Sequence, residues 1–235
     1  MQSIISSITK SIPPINREGY PFILIALIIT VIVGHFSTSL FWILVGLTIW
    51  VVAFFRDPVR VTPVGAGLVV SPADGKVSQV GLAEPPAELN LPDASYLRIS
   101  IFMNVFNCHV NRAPAGGLIE AIAYRPGKFL NAELDKASED NERNGLVIAL
   151  DSGVKIGVVQ IAGLVARRIV SWKKEGDTLI SGERFGMIRF GSRLDVYLPA
   201  ETMATVGVGQ TAVAGETILA DLSVSGRPPV LVRVS

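Results

Sequence analysis

The residues best suited to do chemistry are Gly191 and Ser192, which open an alternating segment. The residues that follow form an apolar set and a polar set: Leu194, Val196 and Leu198 against Arg193, Asp195 and Tyr197. This period of two predicts a half-buried β-strand that begins at Ser192. Because glycine lacks a Cβ, the Gly191 carbonyl can adopt a strained, open geometry within reach of a neighbouring hydroxyl. A serine there could attack its own chain, although Gly-Ser at a strand entry is usually a bulge or a turn.

A serine nucleophile needs a base to take its proton and a group to orient that base. His109 is the only histidine outside the apolar segment, so a base near neutral pH would be His109 or a shifted carboxylate. A lone histidine is more often a packed structural residue. Cys108 precedes His109, but adjacent residues of extended chain point to opposite faces and cannot form a dyad. Asp74 is a candidate orienting group, and its Asp74-Gly75 step is also an ordinary turn sequence.

The composition limits the class of protein. The chain has 235 residues, is 49% hydrophobic and 17% charged, and has a mean hydropathy of +0.47, which favours membrane contact. A net charge of +1 leaves no basic surplus for nucleic acid. One cysteine excludes an intramolecular disulfide and a cysteine-based zinc site, and two histidines are too few for most histidine-built metal sites. We therefore expect no metal site and a reduced, cytoplasm-facing protein.

The apolar residues are concentrated near the N-terminus. No formally charged residue occurs from 21 to 55, where the apolar runs 22–34 and 40–55 are separated by five more polar residues. Each run is shorter than the roughly 20 residues that a membrane-spanning helix needs. We therefore expect a shallow helical membrane hairpin with both ends on one side, the alternative being one buried or tilted spanning helix.

After the aromatic and charged residues 54–60, the long apolar runs give way to short apolar runs broken by glycine and proline. This change predicts a domain boundary there. We expect residues 1–60 to associate with the membrane and residues 61–235 to form a mainly β (α+β) domain. Within it, residues 82–95 read as a surface loop. The polar stretch 127–144 reads as a solvated loop or short helix, or as a loop that faces lipid headgroups.

A weak internal repeat further specifies the fold. The segment 176–183 recurs 33 positions later (209 − 176) as 209–216, and both copies are bounded by glycine. Paired segments of this kind resemble the halves of lipoyl- and biotinyl-carrier domains, whose modified lysine lies between them. No lysine occurs from Arg184 to Ala212, where Gly191 and Ser192 lie instead. The fold prediction is therefore a β-sandwich, similar to a barrel-sandwich, that presents a different reactive group.

Several motifs together resemble the phosphatidylserine decarboxylase proenzymes, most closely their short bacterial and archaeal forms. The resemblance covers nearly the whole chain, including its apolar lead. The motifs that carry it are Phe54 to Arg60, Ser71-Pro72-Ala73-Asp74-Gly75, Asn107-Cys108-His109-Val110-Asn111-Arg112, Asn141-Glu142-Arg143-Asn144 and Phe185 to Pro199 with its Gly191-Ser192 step.

The resemblance implies that the chain cuts itself between Gly191 and Ser192. The products would be a beta chain, 1–191, and an alpha chain, 192–235, held together as a heterodimer. Ser192 would become an N-terminal pyruvoyl group that forms a Schiff base with phosphatidylserine and acts as an electron sink while carbon dioxide leaves. His109 would donate the proton to the resulting carbanion, with Asp74 as the third catalytic residue. The expected location is the cell membrane, with a peripheral or monotopic anchor and the catalytic domain on the cytoplasmic side.

The chain departs from the family pattern at one point. Longer members carry a two-histidine motif, whereas the segment 107–112 has only His109. Either His109 serves both steps or another group covers one of them. Two alternatives stay open on the sequence: a membrane-tethered, non-enzymatic β-sandwich adaptor or carrier, and the same chemistry on an archaeal-type phosphoserine lipid.

Overall fold

The chain consists of two structural units, divided between Val59 and Arg60 in a computed structural model. The structure describes residues 13–92, 94–128, 140–163, 168–190 and 192–225. This part of the chain is mainly β, with apolar helix near the N-terminus, as the sequence predicts.

The first unit contains two apolar helices, α1 (Tyr20–Phe36) and α2 (Thr38–Phe54). Ser37 interrupts them in an extended conformation, and its hydroxyl accepts a hydrogen bond from the Leu40 amide at 3.4 Å, which caps α2. The Asn16 amide donates to the carbonyl of Phe55 at 2.8 Å, so the start of α1 lies beside the end of α2. The helices therefore form the predicted hairpin.

The two helices pack through small and polar residues. Gly34 lies against the Phe41 ring, and the hydroxyls of Thr30 and Thr48 are 2.9 Å apart. Most of the other apolar side chains of this unit are exposed. With the short 3₁₀ turn before it, the first helix runs from Arg17 to Phe36 and is long and apolar enough to cross a membrane, whereas α2 has 17 residues. The first helix is thus longer than its apolar run predicted, because nothing in the sequence stops it before Ser37.

The described residues of the second unit form three antiparallel sheets. The largest has eight strands, in the spatial order β13 (Thr211–Ala212), β2 (Gly75–Ala83), β3 (Tyr96–Met103), β11 (Ser192–Pro199), β7 (Lys155–Ala162), β6 (Arg143–Ala149), β5 (Gly117–Arg125) and β9 (Thr178–Leu179). The two small sheets are β1 (Leu68–Val70), β14 (Ile218–Ser225) and β12 (Thr202–Ala204), and β4 (Val110–Arg112), β10 (Arg184–Arg189) and β8 (Arg168–Ser171).

The strand that begins at Ser192 is buried on both faces. The apolar set of Leu194, Val196 and Leu198 faces the main core, as predicted. The prediction of a half-buried strand is wrong, however, because Arg193 and Asp195 on the other face are 3% and 1% exposed and form an ion pair at 2.9 Å. Tyr197 on that face packs with Leu89, which belongs to the segment predicted to be a surface loop. Burial raises the pKa of the Tyr197 phenol, with Asp195 adding to the rise, so this hydroxyl stays protonated.

The sequence repeat is also a repeat in the structure. β9 and β13 occupy equivalent positions in the two copies, at opposite edges of the large sheet. The Val77 amide donates to the Gln210 carbonyl at 2.9 Å, and the Ile119 amide donates to the Asp177 carbonyl at the same distance. Two halves of the unit are therefore related by a pseudo-two-fold arrangement.

The halves contain a second repeat, at a spacing of 42 residues (114 − 72), which joins 71–75 to 113–117. Each segment accepts a hydrogen bond from the residue that precedes the other segment. The Val70 amide donates to the Pro114 carbonyl at 2.8 Å, and the Arg112 amide donates to the Pro72 carbonyl at 2.9 Å. Each segment ends in a glycine that begins a strand of the large sheet.

We predict that Gly75→Ala destabilises the protein by about 1–3 kcal/mol and that Gly81→Ala, in the same strand, does not. A Cβ at Gly75 would lie 2.2 Å from the Phe102 carbonyl oxygen, whereas a Cβ at Gly81 meets nothing within 4 Å. Thermal unfolding of both variants in the same detergent measures the difference. Equal stability of the two variants would contradict the close packing at the start of β2.

Candidate active site

Ser192 is the first residue of β11, near the middle of the large sheet. Its Cα pairs with Met103 on β3 and with Ala162 on β7. β2 and β11 begin, and β3 and β7 end, on this side of the sheet. We call it the Ser192 end of the sheet. Backbone pairing on both sides fixes the position of Ser192 more firmly than a surface loop would.

A strained residue lies just before this strand. Phe190 has φ +71°, in the left-handed region that residues with large side chains rarely adopt. Such a conformation typically costs on the order of 1–3 kcal/mol and persists only where the surrounding structure imposes it. The sequence placed strain at Gly191, which lies outside the described residues. The strain that the structure describes is one residue earlier.

His109 is completely buried and lies beside the strand that leads to Ser192. Its carbonyl accepts a hydrogen bond from the Ile188 amide at 3.3 Å. Ser192 follows Ile188 by four residues, which can span at most about 14 Å. The fold therefore brings His109 close to the predicted cleavage site although 83 positions (192 − 109) separate it from Ser192 in sequence.

Asp74 lies at the same end of the sheet, immediately before β2. Arg60 Nη2 donates to both carboxylate oxygens of Asp74, at 2.9 and 2.7 Å, and the Ala214 amide donates to Oδ1 at 2.8 Å. Both side chains of the ion pair are only 14% exposed. Among the described residues, the carboxylate thus contacts Arg60 and Ala214 rather than His109, and its role as the third catalytic residue stays a prediction.

The pseudo-two-fold arrangement separates structural from functional requirements at these positions. The counterpart of Asp74 is Gly116, so the same turn forms without an aspartate. The counterpart of His109 is Gly67, whose carbonyl accepts the Leu222 amide at 2.8 Å. Neither side chain is needed for the repeated backbone. The 42-residue repeat is the sequence signal that could have revealed this.

Two buried asparagines hold the strand neighbours of Ser192. Asn111 Nδ2 donates to Met103 Sδ at 3.8 Å, and Asn141 Nδ2 donates to the Ala162 carbonyl at 2.9 Å. Asn111 in turn accepts a hydrogen bond from Gln160 at 2.8 Å. No local sequence pattern marks Asn111 or Asn141 for this task. The C-terminal part of the stretch predicted to be a solvated or headgroup-facing loop, Asn141 to Asn144, is buried, while residues 129–139 of that stretch lie outside the described part.

The described residues contain no cluster of metal-binding side chains. Within those ranges no group of three or more His, Cys, Asp and Glu side chains could hold a metal ion. Cys108 is a buried free thiol.

Comparison with known proteins identifies the class. The family model for phosphatidylserine decarboxylase matches residues 47–220. Two curated relatives, each named phosphatidylserine decarboxylase proenzyme, come from Xanthobacter autotrophicus (strain ATCC BAA-1158 / Py2) and Azorhizobium caulinodans (strain ORS 571). Each is 63% identical over 233 residues, which is 99% of this chain and 100% of the relative.

These matches place the chain among the lyases that act as decarboxylases. It belongs to the phosphatidylserine decarboxylase family, which confirms the resemblance drawn from the motifs. Membership of an enzyme family decides against the non-enzymatic adaptor or carrier. The proenzyme names of the relatives agree with a zymogen.

We predict that Arg60→Met slows self-cleavage by about ten-fold and that Arg60→Lys largely preserves it. Methionine leaves the poorly exposed carboxylate of Asp74 without its cation, a loss typically costing 1.4 kcal/mol or more, whereas lysine retains a donor. The ratio of cut to uncut chain, followed with time after synthesis, measures the effect. Equal rates in the two variants would show that the ion pair does not support cleavage.

Proposed function

We propose that this protein converts phosphatidylserine to phosphatidylethanolamine and carbon dioxide with a pyruvoyl group made from its own Ser192. Family membership supports the reaction. One observation supports the assignment of the pyruvoyl group to Ser192. Ser192 is the first residue of a central strand, and its backbone pairs with Met103 on one side and Ala162 on the other. A new chain end created there remains held by both neighbouring strands.

The self-processing steps require only residues of the chain and water. Ser192 Oγ attacks the Gly191 carbonyl carbon, the peptide C–N bond breaks, and the hydroxyl proton passes to the released amine, which leaves an ester. Removal of the Ser192 Cα proton then expels the Gly191 carboxylate from Cβ and leaves dehydroalanine. Tautomerisation and addition of water release ammonia. The new N-terminal residue is a pyruvoyl group, and no oxidant or reductant is consumed.

His109 is the residue we assign to proton transfer. Its complete burial beside the strand leading to Ser192 supports this role, because a histidine there can accept and return a proton in a site with little competing water. The strained Phe190 lies one residue before the Gly191–Ser192 bond, and it supports cleavage there because breaking the chain can relieve strain. Asp74, fixed by Arg60, contributes negative charge at the same end of the sheet.

The pyruvoyl carbonyl supplies an electron sink for decarboxylation, as other carbonyl cofactors do. The remaining tasks belong to the surrounding residues. Asn111 and Asn141 keep Met103 and Ala162 in place, so the reactive end of β11 keeps its position after cleavage. His109 then donates a proton to the substrate carbon that has lost its carboxylate.

The same proposal includes a heterodimer of the cleavage products at a membrane. After cleavage, four strand pairings would join the two chains. These are β11 with β3, β11 with β7, β13 with β2, and β14 with β1. The exposed apolar helices favour a membrane location, and we assign the second unit, from about residue 61, to catalysis on the cytoplasmic side.

We predict that Ser192→Ala releases no carbon dioxide from phosphatidylserine, while Ser152→Ala keeps wild-type activity. Ser152 lies in the exposed turn between β6 and β7, so this control removes a hydroxyl from the same sheet without touching the site. Release of labelled carbon dioxide from carboxyl-labelled substrate measures both. Activity in Ser192→Ala would exclude a pyruvoyl group at this position.

We also expect His109→Gln to slow decarboxylation by about 10²–10⁴-fold in whatever fraction of the chain is cut. Glutamine keeps hydrogen-bonding capacity but cannot move a proton near neutral pH. Activity normalised to the cut fraction separates this effect from slower self-cleavage. A normal rate per cut molecule would remove His109 from the decarboxylation step.

A further inference from the structure

The two ends of the large sheet carry opposite charge among the described residues. The exposed charged side chains at or just beyond the Ser192 end are Lys76, Arg125, Lys128 and Asp140. Those at the opposite end are Glu84, Glu120, Asp151, Lys155 and Glu201. Counted over the described residues alone, the Ser192 end is net positive and the opposite end is net negative. Such a field orients the unit toward a negatively charged partner.

An exposed aromatic side chain lies at the positive end. Phe106 is 70% exposed and belongs to the loop that leaves β3 at Met103 and reaches His109. The loop is held by its own asparagines: Asn107 Oδ1 accepts the Asn104 amide at 2.9 Å, and Asn104 Oδ1 accepts the Phe106 amide at 2.8 Å. These bonds fix the backbone that carries the ring. The loop thus presents Phe106 three residues from the buried histidine.

The chain itself enters the second unit at this end. Arg60, the first residue of the unit, is bonded to Asp74, which precedes β2 at the Ser192 end. The segment before Arg60 is the one whose helices expose apolar side chains. The second unit therefore begins on the side that carries the basic residues and Phe106.

We propose that the Ser192 end of the sheet docks directly on an anionic phospholipid bilayer, with Phe106 inserted among the acyl chains. Lys76, Arg125 and Lys128 would contact phosphate and carboxylate groups of the lipid heads. This docking surface adds a second membrane contact to the apolar helices. It rests on the proposed function for the identity of the substrate, which would reach Ser192 without leaving the bilayer.

A site-directed label tests the insertion without relying on catalysis. Phe106→Cys and Leu82→Cys are labelled with a fluorophore in the full chain, reconstituted in vesicles of phosphatidylcholine and phosphatidylserine. Leu82 is a matched control, because it is 66% exposed and lies near the opposite end of the sheet. Unsubstituted protein serves as the blank for labelling of the buried Cys108.

We expect nitroxide groups on the acyl chains to quench the label at 106 and aqueous iodide to quench the label at 82. Iodide quenching at both positions would overturn the proposal. Shielding of the label at 106 that increases with protein concentration and is indifferent to the lipid would identify a second copy of the chain as the occupant instead, and would also overturn it.

Activity supplies the second arm. For Phe106→Ala we expect an apparent KM raised on the order of ten-fold on vesicles and unchanged on soluble short-chain phosphatidylserine, with Leu82→Ala normal on both. Intact mass first establishes that each variant is cut. An equal loss on both substrates would make Phe106 a structural residue and contradict docking. An uncut, inactive wild-type chain would defeat the proposed function, while the label experiment would still decide the docking.

The charged residues give a further comparison. Lys76→Glu with Arg125→Glu should reduce activity on vesicles rich in phosphatidylserine and flatten its dependence on salt, because these side chains would no longer face anionic headgroups. Lys155→Glu makes a change of the same sign at the opposite end and should leave both unchanged. The same loss in both variants would exclude a docking surface at the Ser192 end.

Discussion

The backbone pairing of Ser192 on both sides is the constraint on which the rest of the site depends. β11 lies between β3 and β7, and the side chains on both of its faces, from Arg193 to Leu198, are buried. The main core covers one face, and the packing of Leu89 with Tyr197 helps to cover the other. Burial makes the Arg193–Asp195 pair costly to separate, since an unpaired charge would remain inside the unit. The first residue of the strand is therefore fixed by interactions that extend well beyond it.

A repeated frame accounts for most of this architecture, and the candidate chemistry occupies the places where the repeat is broken. The reciprocal bonds of Val70 and Arg112 relate the two halves closely. One half carries Gly67 and Asp74, and the other carries His109 and Gly116 at the corresponding positions, so each candidate side chain corresponds to a glycine in its repeat. A duplicated scaffold can tolerate such replacement because backbone bonds, which do not depend on the side chain, maintain both turns. The candidate active site is thus an asymmetric addition to a nearly symmetric support.

Local sequence patterns predicted the helices and strands. They could not predict which segments cover each face of a strand or which distant residues bond to each other. Alternation after Ser192 gave the correct strand and the correct inward set, but it reports residue type and not what packs above it, so burial of Arg193 was missed. The bond between Asn111 and Gln160 joins residues 49 positions apart, and nothing local marks either as a partner. The Arg60–Asp74 pair depends similarly on where two segments meet. The motif resemblance pointed to Ser192 and His109, and the fold places His109 beside the strand that leads to Ser192.

The most direct test of the central claim is the intact mass of the purified protein, followed by analysis of the smaller fragment. The account predicts two fragments that end and begin at residues 191 and 192, the smaller one blocked to N-terminal sequencing and reactive toward hydroxylamine. A single 25.1 kDa chain that nevertheless decarboxylates phosphatidylserine would contradict it, because the reactive carbonyl would then have another origin.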